Sequence, residues 1–283
     1  SKSFISRYIN TVLKDTVSKE RSQFFVFPTV GYRPETGVEF GLTPLYIYYA
    51  NENVNNRLSE MKAYSFFTLN GQYGIRISHA LYSDKDTWFF LGDIDFEQFP
   101  LKYYGIGSDV PTSNIALVDA TQIRIKERVL RKVLDNFYIG LETDFRSLSN
   151  VSFEPSEDNE EINFELPFGA EGTTNFGVGV GFVYDERHNV LNERDAFFSE
   201  FAYLNYNPFW KSNVEYQLIT LDNRLFKKVG DNDVLAAQVY GEFNFGGEVP
   251  FNQLSYMGGE SLMRGYFKGR YRDRNQIAAQ VEY

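Results

Sequence analysis

Apolar and polar residues alternate one for one along most of this chain, and a period of two admits β-strands and little else. In 136–146, NFYIGLETDFR, Phe137, Ile139, Leu141 and Phe145 share one side, opposite Asn136, Tyr138, Gly140, Glu142 and Asp144. In 174–185, Phe176, Val178, Val180, Phe182 and Tyr184 face away from Asn175, Gly177, Gly179, Gly181, Val183 and Asp185. In 234–245, Leu235, Ala237, Val239, Phe243 and Phe245 oppose Ala236, Gln238, Tyr240, Glu242 and Asn244. One side suits hydrocarbon and the other water. The pattern predicts an all-β fold, a transmembrane antiparallel up-and-down β-barrel with about 12 strands in this chain.

The expected strands are 22–33, 37–50, 60–70, 72–83, 86–98, 113–130, 132–147, 172–185, 195–206, 212–227, 233–246 and 271–283. Several exceed the roughly 9–11 residues that a tilted strand needs to cross a bilayer. The long connectors, 99–112, 148–171 and 247–270, follow the fifth, seventh and eleventh strands, all odd. In an up-and-down barrel odd connectors share one end, as long extracellular loops do, so the first strand starts at the periplasm. The 51–59 connector, NENVNNRLS, is long for a periplasmic turn.

Composition agrees. Aromatics make up 17% of the 283 residues, high for a soluble domain, yet the mean hydropathy is −0.37. Alternation reconciles the two, because lipid-facing and lumen-facing residues average out. No stretch approaches the roughly 18 consecutive apolar residues of a spanning helix. The net charge of −10 argues against nucleic acid. With no cysteine there is neither a disulfide framework nor a thiolate metal site.

Residues 1–20 break the pattern. Phe4, Ile5, Tyr8, Ile9, Val12, Leu13 and Val17 recur at helical spacing. This predicts a short N-terminal amphipathic segment, lying on the inner leaflet, tucked into the barrel mouth or serving as a mobile leader, ahead of a barrel over 21–283.

The most informative stretch is 257–283, MGGESLMRGYFKGRYRDRNQIAAQVEY. Gly258-Gly259 leads to Arg264-Gly265-Tyr266, and the following strand carries Gln280 and Glu282. This resembles the bacterial surface antigen superfamily, the BamA- and TamA-type outer-membrane assembly factors and two-partner secretion transporters. Their long loop folds back into the barrel with an Arg-Gly-aromatic tripeptide, and their next strand carries Gln-x-Glu. Tyr103-Tyr104-Gly105-Ile106-Gly107, Tyr184-Asp185-Glu186-Arg187-His188-Asn189, Pro28-Thr29-Val30-Gly31-Tyr32 and Thr36-Gly37 agree with it, so the resemblance runs from about residue 24 to the end.

An arginine offers five donors in a planar fork that a lumen glutamate can accept. We therefore expect an Arg264–Glu282 contact, with Gly265 letting the backbone approach the wall and Tyr266 stacking on it or hydrogen-bonding through its hydroxyl. The family barrel has sixteen strands and usually follows periplasmic POTRA domains. The expectation is a barrel-only or POTRA-less member, lacking about four strands of the family barrel, with a twelve-strand barrel as the alternative.

The remaining constellations have bland counterparts. His79 and His188 are the only histidines, without a clustered partner for a metal. His79 beside Ser78 is the one hydrolase candidate, weighed against a plain surface or lumen histidine. Ser156-Glu157-Asp158-Asn159-Glu160-Glu161 reads as a divalent-cation site at lipopolysaccharide or as a solvated loop tip. Arg124, Lys126, Arg128, Arg131 and Lys132 form a basic band by a periplasmic turn, facing inner-leaflet head groups or solvent.

What the resemblance implies is a non-enzymatic protein of the bacterial outer membrane, without cofactor or metal. It would assist insertion of outer-membrane proteins or polypeptide translocation through a weak seam, the candidate being the strand with Pro28 and Gly31. Its partners would be the lipid bilayer with lipopolysaccharide, and unfolded outer-membrane proteins or subunits of an envelope complex. The alternatives are a structural, accessory barrel subunit of such a complex and a passive pore obstructed by the loop.

Overall fold

The computed structural model describes residues 21–33, 37–69, 71–98, 100–156, 161–187, 193–231, 233–259 and 262–283. The expected amphipathic segment, His188, Asn189 and most of the acidic run lie outside them.

Alternation builds one antiparallel sheet. Its strands are β1 (Gln23–Arg33), β2 (Gly37–Tyr49), β3 (Leu58–Thr68), β4 (Tyr73–Tyr82), β5 (Trp88–Gln98), β7 (Ala116–Leu134), β8 (Phe137–Pro155), β9 (Thr173–Asp185), β10 (Ala196–Tyr206), β11 (Tyr216–Val229), β12 (Asp233–Gly246) and β15 (Asn275–Glu282). Each pairs with the next in that order, while β6 (Leu101–Tyr103) pairs with β7 beside the main path. A separate short hairpin, β13 (Ser255–Met257) with β14 (Tyr271–Asp273), sits inside the long loop before β15. This is the expected up-and-down wall, with β1 and β15 at its edges; among the described residues no ladder joins those edges.

Side chains sort by face as the alternation requires. Phe90, Ile125, Val129, Leu141, Val180, Leu225 and Val239 are exposed on the convex face, ready for hydrocarbon. The concave face is charged and paired. Asp144 lies between Arg124, at 3.3 Å, and Arg146, at 2.8 Å, and accepts from the Tyr206 hydroxyl at 2.9 Å. Glu142 takes Lys126 at 3.0 Å and Arg128 at 2.7 Å, and Arg128 extends to Glu200 at 2.5 Å. Pairing is required there, because a lone buried carboxylate costs several kcal/mol.

This corrects the expected basic band. Arg124, Lys126 and Arg128 point into the lumen, and of that set Arg131 stacks over Trp88 at 5.7 Å while Lys132 pairs with Asp135 at 3.5 Å. The turn explains the error. It falls at Asp135-Asn136, where Asn136 takes a φ of 61°, a backbone that Asn tolerates and tight hairpins demand. The charged pair Arg131-Lys132 is still strand.

Two other boundary shifts shape the loops. The 148–171 connector begins later, because β8 continues to Pro155 and pairs with β7 up to Ala116. Val151 and Phe153 pack there under Tyr103, Phe164 and Phe251. The last strand begins at Asn275 rather than 271, since Tyr271–Asp273 pairs instead with Ser255–Met257.

A loop anchored at its root

The loop between β12 and β15 enters the concave side and is fastened in layers. Phe251 is buried with Tyr103, Ala116, Val118 and Leu148. Val249 and Leu254 join Leu204, Tyr206, Tyr216 and Leu218. The Tyr216 hydroxyl donates to Gln253 Oε1 at 2.7 Å, and Asn244 Nδ2 donates to the Arg274 carbonyl at 2.6 Å. Arg272 is buried and donates to the Phe251 carbonyl at 2.9 Å. Its own carbonyl accepts from Gly107 N at 2.7 Å, which ties in the Tyr103–Gly107 stretch. Burial lowers the Arg272 guanidinium from the usual arginine range, opposed by Tyr256 and Tyr103. Arg270 lies 4.7 Å over the Tyr104 ring and 4.6 Å over Tyr271.

The tip carries the tripeptide. Arg264 forms an ion pair with Glu282 on β15, at the juxtaposition expected from the sequence. Both side chains stay exposed, at 60% and 52%. Tyr266 meets Tyr271 at 6.1 Å, ring to ring, within the loop and not against the wall. Gly265 has a φ of 100° and open space where a Cβ would stand. Its role is therefore backbone conformation, not the close approach expected of it. Close approach belongs to Gly258, with a φ of 101°, whose Cβ would run into the Phe267 carbonyl oxygen. Gly259 N donates to the Tyr266 carbonyl at 2.9 Å and closes the tip. Gln280 Nε2 donates to Gln238 Oε1 at 2.7 Å, on the same face as Glu282.

The candidate seam strand is β1. Its register sets Phe24, Val26, Pro28 and Val30 on one face, and Phe25, Phe27, Thr29 and Gly31 on the other. Phe25 and Phe27 stack at 6.1 Å. At Phe24–Phe27 the strand is apolar on both faces, unlike β7 or β8.

His79 faces outward, with Nε2 3.2 Å from Glu127 Oε2. Among the described residues no three His, Cys, Asp or Glu side chains gather as metal ligands.

Sequence reasoning missed Asn56, Arg57 and Asp86. They sit in or beside the connector singled out only for its length, and no local pattern marks their distant partners.

A crystal structure of BamA from Haemophilus ducreyi lacking POTRA domains 1–3 is similar over 88% of this chain and 47% of that one, at 16% identity and a TM-score of 0.49. The chain thus spans about half the length of that crystallised chain. No curated protein matches. The family model of the Omp85 superfamily domain matches residues 82–280, from the end of β4 into β15 and including the whole anchored loop. The chain belongs to the Omp85 superfamily, in keeping with the resemblance carried by its Arg-Gly-Tyr loop and Gln-x-Glu strand.

Proposed function

We propose that this chain assists the insertion of outer-membrane proteins, or the passage of polypeptides, at the β1 edge of its sheet. Family membership supports the coarser statement, an outer-membrane barrel of the assembly and transport type. The observation that carries the finer one is β1 itself. Among the described residues it pairs only with β2, is apolar on both faces at Phe24–Phe27, and holds Pro28, which lacks a ladder donor. A strand so placed offers main-chain groups to an incoming strand by β-augmentation, in the bilayer and beside lipopolysaccharide. No bond chemistry is needed. Arg264 and Glu282 would hold the loop while the edge works.

The test is reconstitution into liposomes with an unfolded outer-membrane barrel as substrate. The expected result is faster substrate folding than in empty liposomes, reduced when Phe25 and Phe27 are replaced by Thr. Equal rates with and without the protein would refute the proposal and favour an accessory subunit of an envelope complex.

A further inference from the structure

The 51–59 connector does more than join β2 to β3. Arg57 leaves it and crosses the end of the concave face. Its Nη2 donates to the Asp185 carbonyl at 2.5 Å and to Asn136 Oδ1 at 2.7 Å. Its Nη1 donates to the Arg187 carbonyl at 2.5 Å and sits 3.7 Å from Asp185 Oδ1. In the sheet β4, β5, β7 and β8 lie between β3 and β9. At about 4.8 Å per strand a flat sheet would separate these ends by roughly 24 Å, far beyond an arginine's reach. The contact exists because the sheet curls, and Arg57 spans the chord.

Its near end is fixed as firmly. Arg57 N donates to Asp86 Oδ1 at 3.0 Å. Asn56 Nδ2 donates to Asp84 Oδ1 at 3.1 Å, and Asn56 Oδ1 accepts from Lys85 N at 3.0 Å. Two neighbouring periplasmic turns are thus welded together. At the far end, Asp185 is chelated by Arg187 at 2.9 and 3.1 Å and takes the Tyr82 hydroxyl at 3.1 Å.

Beneath Arg57 lies an apolar layer. Tyr82, Phe89, Leu130, Tyr138, Val183 and Phe198, from six strands, form one buried cluster at a single level near the periplasmic end. Tyr82 and Phe89 stack at 4.2 Å, and Tyr138 meets Phe89 edge-on at 5.5 Å. The Arg57 guanidinium lies 5.7 Å from the Tyr82 ring and 6.0 Å from Tyr138. A charged cavity of about 390 Å³ borders Phe89 and Phe198 and is lined by Lys126, Arg128, Glu200 and Asp222, with Glu60 and Arg187 at its edge.

We propose that this layer closes the lumen toward the periplasm, with Arg57 as its bolt, and that it acts independently of the inserted loop. Two seals then stand in series, one at each end of the charged chamber. The experiment is planar-bilayer conductance of the full chain, with Arg57→Ala, Arg264→Ala and the double variant compared. Each single variant should stay near the wild-type level, because the other seal holds. The double variant should conduct well above the wild type, as a water-filled lumen does relative to a filled one. Asp185→Asn combined with Arg264→Ala should reproduce the gain by breaking the same bolt from its other side. Heat-modifiable migration in gels identifies the folded variants, and Arg57→Lys serves as a milder break if Arg57→Ala does not fold. An open Arg264→Ala single variant, or a folded but silent pair of double variants, would overturn the proposal.

Discussion

Two arginines reach across the inside of this sheet to an acidic partner, and their surroundings differ sharply. Arg264, at the loop tip, meets Glu282 with both side chains more than half exposed. Arg57 meets Asp185 with side-chain exposures of 8% and 0%, between two tyrosine rings. Water competes for the first pair and screens it, so it is worth about 0–1 kcal/mol. The second is desolvated and multiply hydrogen-bonded; removing one partner of such a pair costs about 3–5 kcal/mol. One contact is a latch that releases cheaply, the other part of the frame. Paired charges thus identify a switch only together with their burial.

Four substitutions probe the contrast, each read by urea unfolding of the folded protein in micelles or by limited proteolysis. Arg57→Ala should be the most damaging, losing about 3 kcal/mol or more; a loss no larger than that of Arg264→Ala would erase the distinction. Asp144→Asn should follow at about 2–3 kcal/mol, since it leaves Arg124 and Arg146 without their shared buried carboxylate. Gly258→Ala should cost about 1–3 kcal/mol of local strain and open the loop to protease with little change in the wall's unfolding midpoint. Arg264→Ala should lose at most about 1 kcal/mol. Its deficit should shrink further in high salt, whereas that of Arg57→Ala should persist. Salt sensitivity in the reverse order would assign the two roles the other way round.

Much of the wall was legible beforehand, because period two is written in most of its strands. Arg264 could be matched to Glu282 through a motif that resembles a family's. Orientation within a charged run was harder. Arg124, Lys126 and Arg128 look like a solvated band until the turn is placed at Asn136, and a charge at an expected strand end gives no sign of its direction. Arg57 and Asp185 lie 128 positions apart, and no local signal joins them. Only curvature brings them together, and curvature comes from the whole sheet. The stretch around Asp185 and Arg187 did stand out in the sequence, but as part of the family resemblance and not as one end of a bolt.

The register between β2 and β3 runs from Glu39–Thr68 to Leu42–Ser65 and resumes at Leu45–Lys62, skipping Thr43 and Pro44. A proline has no amide hydrogen to give, and each ladder bond is worth about 0.5–1.5 kcal/mol in water and more in lipid. The first hairpin is therefore stitched to its neighbour with a dropped stitch, near Pro28 on the adjoining strand. A lateral pull on the β1 edge concentrates at that perforation, so the first two strands would swing together as a flap while the bolted arc beyond them keeps its shape.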